Sequence, residues 1–243
     1  MSTPRTTSVR IVAADDRFHT DFGWLDSRHS FSFGHHFDPD NTGHGLLIVS
    51  NDDRVAPGAG FGTHAHGDME IVTWVLEGRL EHRDSEGNEG LLYPGLAQRM
   101  SAGRGIRHSE MNHSATEPVH FVQMWVPPDT TGLPPGYEQR DLNDDLTPGL
   151  LIPVASGRGH DGAIAIHQRH AVMWVARLGP TQRVGLPIAP YVHLFVAKGR
   201  ITFDEHDLSA GDAARITDAA SIEVTAVADA EIIVWESALT AVR

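Results

Sequence analysis

The sequence contains no cysteine. This absence excludes a disulfide framework, a thiolate nucleophile and every metal site or cluster that needs thiolate ligands. A metal bound by this chain would therefore have to use imidazole and carboxylate ligands. Histidine, by contrast, is abundant, with 16 residues in a chain of 243. Only the spacing of these histidines can separate potential ligands from ordinary surface and core residues.

Basic residues and long apolar runs are also scarce. Lysine and arginine number 19 against 32 aspartates and glutamates, which gives a formal net charge of −13. Because no basic cluster offsets that charge, direct nucleic-acid binding is not expected. No apolar run is long enough to span a membrane, and residues 1–10 show no apolar core of a secretion signal. We therefore expect a cytoplasmic protein without membrane contact.

Long helical periodicity is a further feature that the sequence lacks. Short alternating apolar runs dominate instead, separated by glycine, proline, asparagine and aspartate, which is typical of all-β sandwiches and barrels. The predicted strands are residues 45–53, 70–78, 79–84, 118–126, 171–178, 191–199, 200–206 and 230–236. A stretch rich in proline and glycine, residues 127–136, predicts a connection between two domains that runs on to about residue 150.

The two halves of the chain resemble each other. Residues 74–95 and 195–212 both read as an apolar strand, a Gly-Arg turn, an alternating strand, a polar hairpin and a turn ending near glycine. Such internal similarity predicts a duplicated β-barrel unit. We place one barrel in residues 1–135 and the other in residues 136–243.

Two pairs of potential metal ligands share one spacing. His64 and His66 are separated by a single residue, and so are His108 and Glu110 further along the chain. Alternate side chains of a β-strand point to the same face, so each pair can direct two ligands at one ion. Two neighbouring strands would then converge on three histidines and one carboxylate. This ligand set suits Fe(II), and also Ni, Cu, Mn or Zn, and leaves coordination positions open.

Glu70 competes with Glu110 as the oxygen ligand, because it lies shortly after the first histidine pair. Strand geometry favours Glu110, which has the same spacing from His108 as the two residues of the first pair have from each other. Glu70 would then support the site from outside the ligand set or be structural, and the alternative that it is a ligand stays open. Gln123 and Trp125, on one face of a predicted strand, are candidates for lining the barrel.

The motif G-x5-H-x-H-x3-E, from Gly58 to Glu70, resembles the first motif of the cupin superfamily. The longer stretch 61–114 resembles the pirin family, especially its bacterial members described as quercetin 2,3-dioxygenases. Three shorter segments fit the same family: 23–33, 137–140 and 166–168. The resemblance spans most of the chain and is stronger in its first half. It implies an all-β bicupin fold of two tandem jelly-roll barrels (double-stranded β-helices), with metal only in the N-terminal barrel.

The resemblance also implies which residues form the site. It assigns metal-ligand roles to His64, His66, His108 and Glu110, with Fe(II) as the expected ion. One departure concerns residues 64–67, which read His-Ala-His-Gly where many family members have His-Pro-His-Arg. The wall around the ligands therefore differs, and the substrate preference stays open.

Three functions are compatible with this resemblance. The preferred one is a metal-dependent dioxygenase that cleaves flavonols such as quercetin with O2, in which Glu110 takes the proton of a substrate hydroxyl. The second is a regulatory protein that acts through protein partners and the redox state of a bound iron. The third keeps the fold but isomerises or binds another small molecule, since one fold hosts many functions.

The second barrel is not expected to carry a site of this type. Aligning the Gly-Arg turns of the two halves puts Gly185 and Pro187 opposite the first histidine pair, and neither residue can ligate a metal. The segment that corresponds to the second pair falls near residues 221–226, which contain no histidine. We expect this barrel to pack against the first, to wall its pocket or to bind a partner.

Overall fold

The structure, a computed structural model, describes residues 6–241. Nearly all of its regular structure is β-strand, which confirms the all-β prediction. Within this range the only helical element is one 3-10 turn, Ala14–Asp16. No helix in the described range has the length and apolar character that crossing a bilayer requires.

Twenty-two strands, labelled β1 to β22 in chain order, make up the described part of the chain. The first twelve are β1 Ser8–Val12, β2 Phe18–Asp21, β3 Leu25–His29, β4 Val49–Val55, β5 Gly60–His66, β6 Glu70–Glu77, β7 Leu80–Asp84, β8 Glu89–Leu92, β9 Leu96–Ser101, β10 Ile106–Asn112, β11 Val119–Val126 and β12 Gly136–Asp141. The other ten are β13 Ile152–Ser156, β14 Ile164–Ala165, β15 Ala171–Leu178, β16 Arg183–Gly185, β17 Tyr191–Lys198, β18 Arg200–Phe203, β19 His206–Ser209, β20 Ala213–Thr217, β21 Glu223–Ala226 and β22 Ala230–Ser237.

The strands form two barrels, each built from one seven-stranded and one four-stranded sheet. The N-terminal barrel has the strand orders β12-β9-β6-β11-β4-β3-β2 and β5-β10-β7-β8. The C-terminal barrel has the orders β1-β20-β17-β22-β15-β13-β14 and β16-β21-β18-β19. The two sets correspond position by position, so that β6 matches β17 and β5 matches β16. The repeat seen in the sequence is therefore a repeat of strand order.

The two Gly-Arg turns occupy equivalent places in the barrels, between β6 and β7 and between β17 and β18. Gly78 and Gly199 have φ angles of 77° and 76°, which L side chains rarely adopt. A Cβ would also lie 2.8 Å from the Pro118 carbonyl oxygen at the first turn and 1.9 Å from the Asp229 carbonyl oxygen at the second. Both conformation and close backbone approach thus require glycine here.

Each barrel takes one strand from the other half of the chain. β1 pairs with β20, with Val12 opposite Ala213, and so completes the C-terminal seven-stranded sheet. β12 pairs with β9 in the N-terminal barrel. The connection expected between residue 127 and about residue 150 therefore contains one strand, β12, between its irregular proline-rich start and the turns of residues 142–151. The division at residues 135 and 136 stays a prediction.

A shared hydrophobic core joins the two barrels. Its buried residues come from both halves of the chain and include Trp74 and Val122 from the first and Phe195 and Trp235 from the second. The indole Nε1 of Trp74 also donates a 2.7 Å hydrogen bond to Glu231 Oε1 across this core. Burial of apolar surface is the main stabilising contribution in such a core. The junction is therefore an interior rather than a loose contact.

Candidate metal centre

Two paired strands bring the predicted histidines together. β5 and β10 run antiparallel, with His108 directly opposite His64. The register shifts between His108 and Glu110. Glu110 therefore lies opposite Phe61, whereas a regular ladder would pair it with Gly62. On its other side β10 pairs with β7, where Glu110 lies opposite His82. β10 is thus the central strand of the candidate centre.

The three imidazoles form a compact triangle. The ring centroids of His64 and His66 are 4.8 Å apart, those of His64 and His108 4.4 Å, and those of His66 and His108 4.9 Å. One nitrogen of each ring lies within 4.8 Å of the corresponding nitrogens of the other two. A single divalent ion can be reached by three nitrogens at this separation after small adjustments.

The hydrogen bonds of these rings leave ligand atoms available. His64 Nδ1 donates to the Gly62 carbonyl oxygen at 2.8 Å, because a carbonyl can only accept, so Nε2 of the neutral ring keeps its lone pair. The Nε2 atoms of His66 and His108 are buried and have no hydrogen-bond partner. Buried polar atoms without partners are uncommon and costly. A metal ion would supply the missing partner, so the residues present fit one.

The electrostatics of the triangle keep its buried rings neutral. Burial lowers the pKa of His66 to about 4, with a further contribution from His64. Burial also lowers the pKa of His108 to about 2, assisted by the neighbouring histidines. A neutral imidazole is the form that ligates a metal. Protons therefore compete weakly for these two rings at neutral pH.

Glu110 lies beside the triangle and is held by other side chains. Its carboxylate is buried and accepts hydrogen bonds from Gln123 Nε2 at 2.9 and 2.8 Å. Trp125 Nε1 donates to Gln123 Oε1 at 3.0 Å and so orients the amide. Burial raises the pKa of Glu110, and the Gln123 hydrogen bonds oppose this. Glu110 belongs to a second group of potential ligands, with His82 and His108.

Glu70 has a different environment. Its Oε2 accepts hydrogen bonds from Ser101 Oγ at 2.8 Å and from the backbone amide of His167 at 3.1 Å. It belongs to neither group of potential ligands found among residues 6–241. Since His167 comes from the second half of the chain, Glu70 links that half to the start of β6.

A cavity of about 190 Å³ opens next to the histidine triangle. Its apolar lining consists of Leu25, Phe33, Phe61 and Trp125, and its polar lining includes Ser27, Asn51, Asp53 and Gln123. Trp125 packs edge-on against His66, with centroids 4.9 Å apart. Burial raises the pKa of Asp53 to about 7, against the effect of a hydrogen bond from Ser27. Such a lining suits a small aromatic molecule that carries polar groups.

Two further histidines, His29 and His120, are held by other side chains. His29 also lines the cavity, where its Nδ1 contacts Asn51 Oδ1 at 2.9 Å. His120 instead pairs with Asp52, Nε2 to Oδ1 at 2.5 Å. Neither belongs to a group of potential metal ligands in the described range.

Two buried residues of the centre did not emerge from the sequence, His82 and Asp84. Both lie on β7, their side chains are fully buried, and His82 Nε2 lies 3.2 Å from Asp84 Oδ2. Their spacing of one intervening residue is the spacing that singled out the other two pairs. This spacing, inside the predicted strand 79–84, was the sequence signal that could have identified the two residues as a third pair.

The C-terminal barrel offers no comparable arrangement in the range 6–241. Both groups of three or more potential metal ligands lie in the N-terminal barrel. The strands equivalent to β5 and β10 are β16 and β21, which carry no histidine.

Comparisons with known proteins cover both barrels. Residues 12–126 match the family model described as Pirin, and residues 153–236 match the model described as Quercetinase C-terminal cupin domain. A Mycobacterium tuberculosis (H37Rv) protein provisionally named quercetin 2,3-dioxygenase is 56% identical over 233 residues, 95% of this chain and 96% of the relative. The quercetin 2,3-dioxygenase of Escherichia coli K12 is 42% identical over 229 residues, 94% of this chain and 98% of the relative.

Solved structures agree with these relatives. YhhW from Escherichia coli superposes with a TM-score of 0.90 at 38% identity, covering 97% of this chain and 100% of that one. The bacterial pirin YhhW in complex with nickel(II) gives a TM-score of 0.88 at 38% identity, with 96% and 100% covered. These matches confirm the bicupin expectation. The chain belongs to the pirin family.

Proposed function

We propose that this protein is a metal-dependent dioxygenase that cleaves flavonols such as quercetin with O2. The observation that carries the proposal is the pair of buried, unpartnered Nε2 atoms of His66 and His108 beside a cavity with aromatic walls. The names of the relatives support it as well, since they include quercetin 2,3-dioxygenases. The cavity lining is compatible with a flat ring system bearing hydroxyl groups.

The proposed ligands are the Nε2 atoms of His64, His66 and His108, with a carboxylate oxygen of Glu110 as the fourth. Three neutral imidazoles and one hard oxygen suit Fe(II), which we propose as the ion. The same set accepts Ni, Cu, Mn and Zn, so the supply of metal in the cell contributes to the choice.

When bound, the ion supplies Lewis-acid stabilisation of the deprotonated substrate hydroxyl. Glu110 is the proposed base for that proton, because burial raises its pKa above that of an ordinary carboxylic acid. Gln123 keeps the Glu110 carboxylate oriented through its two hydrogen bonds. Trp125 and Phe33, in edge contact with centroids 5.5 Å apart, form an apolar wall that orients the substrate and excludes water.

The test begins with anaerobic purification, elemental analysis and oxygen-consumption assays on a panel of flavonols, with Fe(II) and then other divalent ions loaded. We expect about one ion per chain and flavonol-dependent oxygen uptake. His64→Ala should abolish both, because it removes one corner of the imidazole triangle. His113→Ala is the matched control, since His113 is exposed and pairs with Glu81 away from the triangle.

Two results would contradict the proposal. One is oxygen uptake at the wild-type rate by a variant that carries no metal. The other is the absence of oxygen uptake with every flavonol by wild-type protein that carries a stoichiometric ion.

A further inference from the structure

We infer that His82 and Asp84 position the ligand histidine His108, because Asp84 sets the tautomer of His82 and His82 sets the tautomer of His108. The inference rests on the proposed metal centre and adds two residues that are not among its proposed ligands. The hairpin formed by β7 and β8 would then orient a metal ligand without binding the ion itself.

Strand pairing puts the three side chains in line. β7 and β10 are antiparallel neighbours, with His108 opposite Asp84 and Glu110 opposite His82. His82 and Asp84 are separated by one residue, so their side chains share the face of β7 that carries the centre. Both side chains are fully buried. Any hydrogen bonds between these groups are therefore shielded from water.

The donors and acceptors of this cluster can be assigned in sequence. A carboxylate only accepts, so His82 Nε2 donates to Asp84 Oδ2 across 3.2 Å. Nδ1 of the neutral His82 ring is then an acceptor. His108 Nδ1 lies 3.5 Å from it, and this contact is favourable only if His108 Nδ1 carries the hydrogen. That tautomer leaves the lone pair of His108 on Nε2, the buried atom that has no partner.

Asp84 is itself fixed by the turn that follows it. Its Oδ1 accepts hydrogen bonds at 3.0 Å from the backbone amides of Glu86 and Asn88. Its Oδ2 accepts another at 3.0 Å from Asn88 Nδ2. On the other side, the His82 ring stacks on Tyr137 with centroids 4.8 Å apart. The carboxylate and the ring plane are thus both held before any ion binds.

His82 is better suited to support than to ligation. Its ring belongs to a group with His108 and Glu110 that has metal-binding dimensions. Both of its nitrogens are engaged, however, Nε2 by Asp84 and Nδ1 by His108 and Gln98. A ligand histidine whose second nitrogen donates to a fixed acceptor is oriented and made more basic, and loss of such a partner typically weakens metal binding about 10–100-fold.

The decisive variant is Asp84→Asn. The asparagine keeps the size of the side chain and can still accept from the Glu86 and Asn88 amides, so the turn is retained. It removes the charge and offers an amide donor, so His82 is no longer restricted to one tautomer. We expect Zn(II) affinity, measured by competition with a chelator, to fall about 10–100-fold. Glu81→Gln, at a half-buried carboxylate on the same strand that pairs with His113, should leave it unchanged.

A second variant, His82→Phe, keeps an aromatic ring against Tyr137 and removes both nitrogens. We expect a loss of Zn(II) affinity at least as large as for Asp84→Asn. Ring ¹⁵N NMR of the Zn(II)-loaded full chain supplies a readout that a purely structural role would not change. In the wild type, His108 should bind Zn(II) through Nε2 with hydrogen on Nδ1, while Asp84→Asn should show His82 in the other tautomer or in a mixture.

The possible failures are distinguishable. Unchanged affinity and unchanged tautomers in Asp84→Asn would overturn the positioning role while leaving the metal centre intact. NMR signals showing His82 bound to Zn(II) would also overturn it, because His82 would then be a ligand. If the wild type takes up no Zn(II), the metal centre itself is wrong and the inference falls with it.

Discussion

At the scale of single residues, the candidate centre depends on which ring nitrogens have partners. The spacing of His64, His66 and His108 in the sequence was sufficient to predict that these rings converge, and the structure brings them together. The same spacing predicted that Glu110 lies beside His108, as it does, but not the register shift that puts Glu110 opposite Phe61. The register shift after His108 is a local backbone irregularity that the alternation of side chains does not encode. Their roles as ligands remain a proposal.

The supporting residues are harder to predict than the potential ligands. Gln123 and Trp125 do line the cavity, as their common face on a predicted strand suggested. The hydrogen bond from Gln123 to Glu110, however, depends on β11 and β10 facing each other across the barrel. Such contacts arise from tertiary packing, for which the local sequence contains no signal.

Asp52 permits a test of buried electrostatics away from the centre. Arg17 Nη2 donates to its Oδ2 at 2.9 Å, and His120 Nε2 lies 2.5 Å from its Oδ1. Burial alone would raise the pKa of Asp52, but the hydrogen bonds and charges of His120 and Arg17 outweigh it and hold the pKa at about 2. Because this value is below that of the unfolded chain, the stabilisation is present above pH 4 and is lost as the pH falls towards 2.

We therefore expect Asp52→Asn to lower the free energy of unfolding by about 2 kcal/mol at pH 7. The difference from wild type should shrink between pH 4 and pH 2, when the wild-type carboxylate is protonated as well. Urea unfolding over this range, with a chelator present to exclude ion binding, measures both quantities. Asp40→Asn, at an exposed loop position, serves as the control. A difference that stays constant with pH would contradict the assignment.

At the scale of elements, strands with an apolar or strongly alternating sequence could be predicted, and strands of mixed composition could not. The predicted strands at 70–78, 118–126, 171–178 and 230–236 correspond closely to β6, β11, β15 and β22. β5 is not among the strands predicted from apolar alternation, because its residues, Gly60–His66, include two glycines and several polar side chains; only the spacing of its two histidines indicated a strand there. β9 was missed because all of its residues are buried, so it shows no alternation.

The contact between β5 and β10 yields a prediction about Gly60. A Cβ at this position would lie 2.3 Å from the Glu110 carbonyl oxygen and 2.6 Å from the Met111 Cα. Both are backbone atoms, so the clash can be relieved only by moving a strand. Gly60→Ala should therefore push β5 away from β10 and separate the imidazoles that the two strands carry. We expect a loss of divalent-ion affinity of at least about 10-fold, measured by chelator competition.

Gly62→Ala is the matched control for that experiment. It lies on the same strand, a Cβ there would meet nothing within 4 Å, and its carbonyl still accepts from His64. Its ion affinity should equal that of the wild type. Equal affinities for both alanine variants would show that the spacing of β5 and β10 does not control the centre.

At the scale of the whole molecule, the duplication was predictable but the joining of the two barrels was not. Two similar stretches of sequence indicated two similar barrels, and the strand orders agree with that. The exchange of β1 and the shared core depend on partners far away in the sequence. Trp74 and Glu231, for example, are 157 residues apart, and no local pattern connects them.

The shared core predicts that the two barrels unfold together. Trp74→Phe would leave Glu231 Oε1 buried without its donor, at a cost of about 1–3 kcal/mol. With the lost packing, we expect the unfolding temperature to fall by roughly 5–10 °C while calorimetry still shows a single transition. Trp174→Phe, which loses no hydrogen bond because its Nε1 has no partner, should cause a smaller shift. Two separate transitions, only one of which moves, would contradict a common unfolding unit.

The pairing of β1 with β20 also affects how the protein is made. Just beyond the paired residues, the Ala14 amide donates to Asp212 Oδ1, across 198 residues of chain. At a synthesis rate of about 5–20 residues per second, β1 emerges from the ribosome roughly 10–40 s before the strand that covers it. Throughout that interval its edge is open to other nascent or unfolded chains. Incomplete products that end before residue 213 keep this exposed strand, which marks them for chaperones or proteolysis.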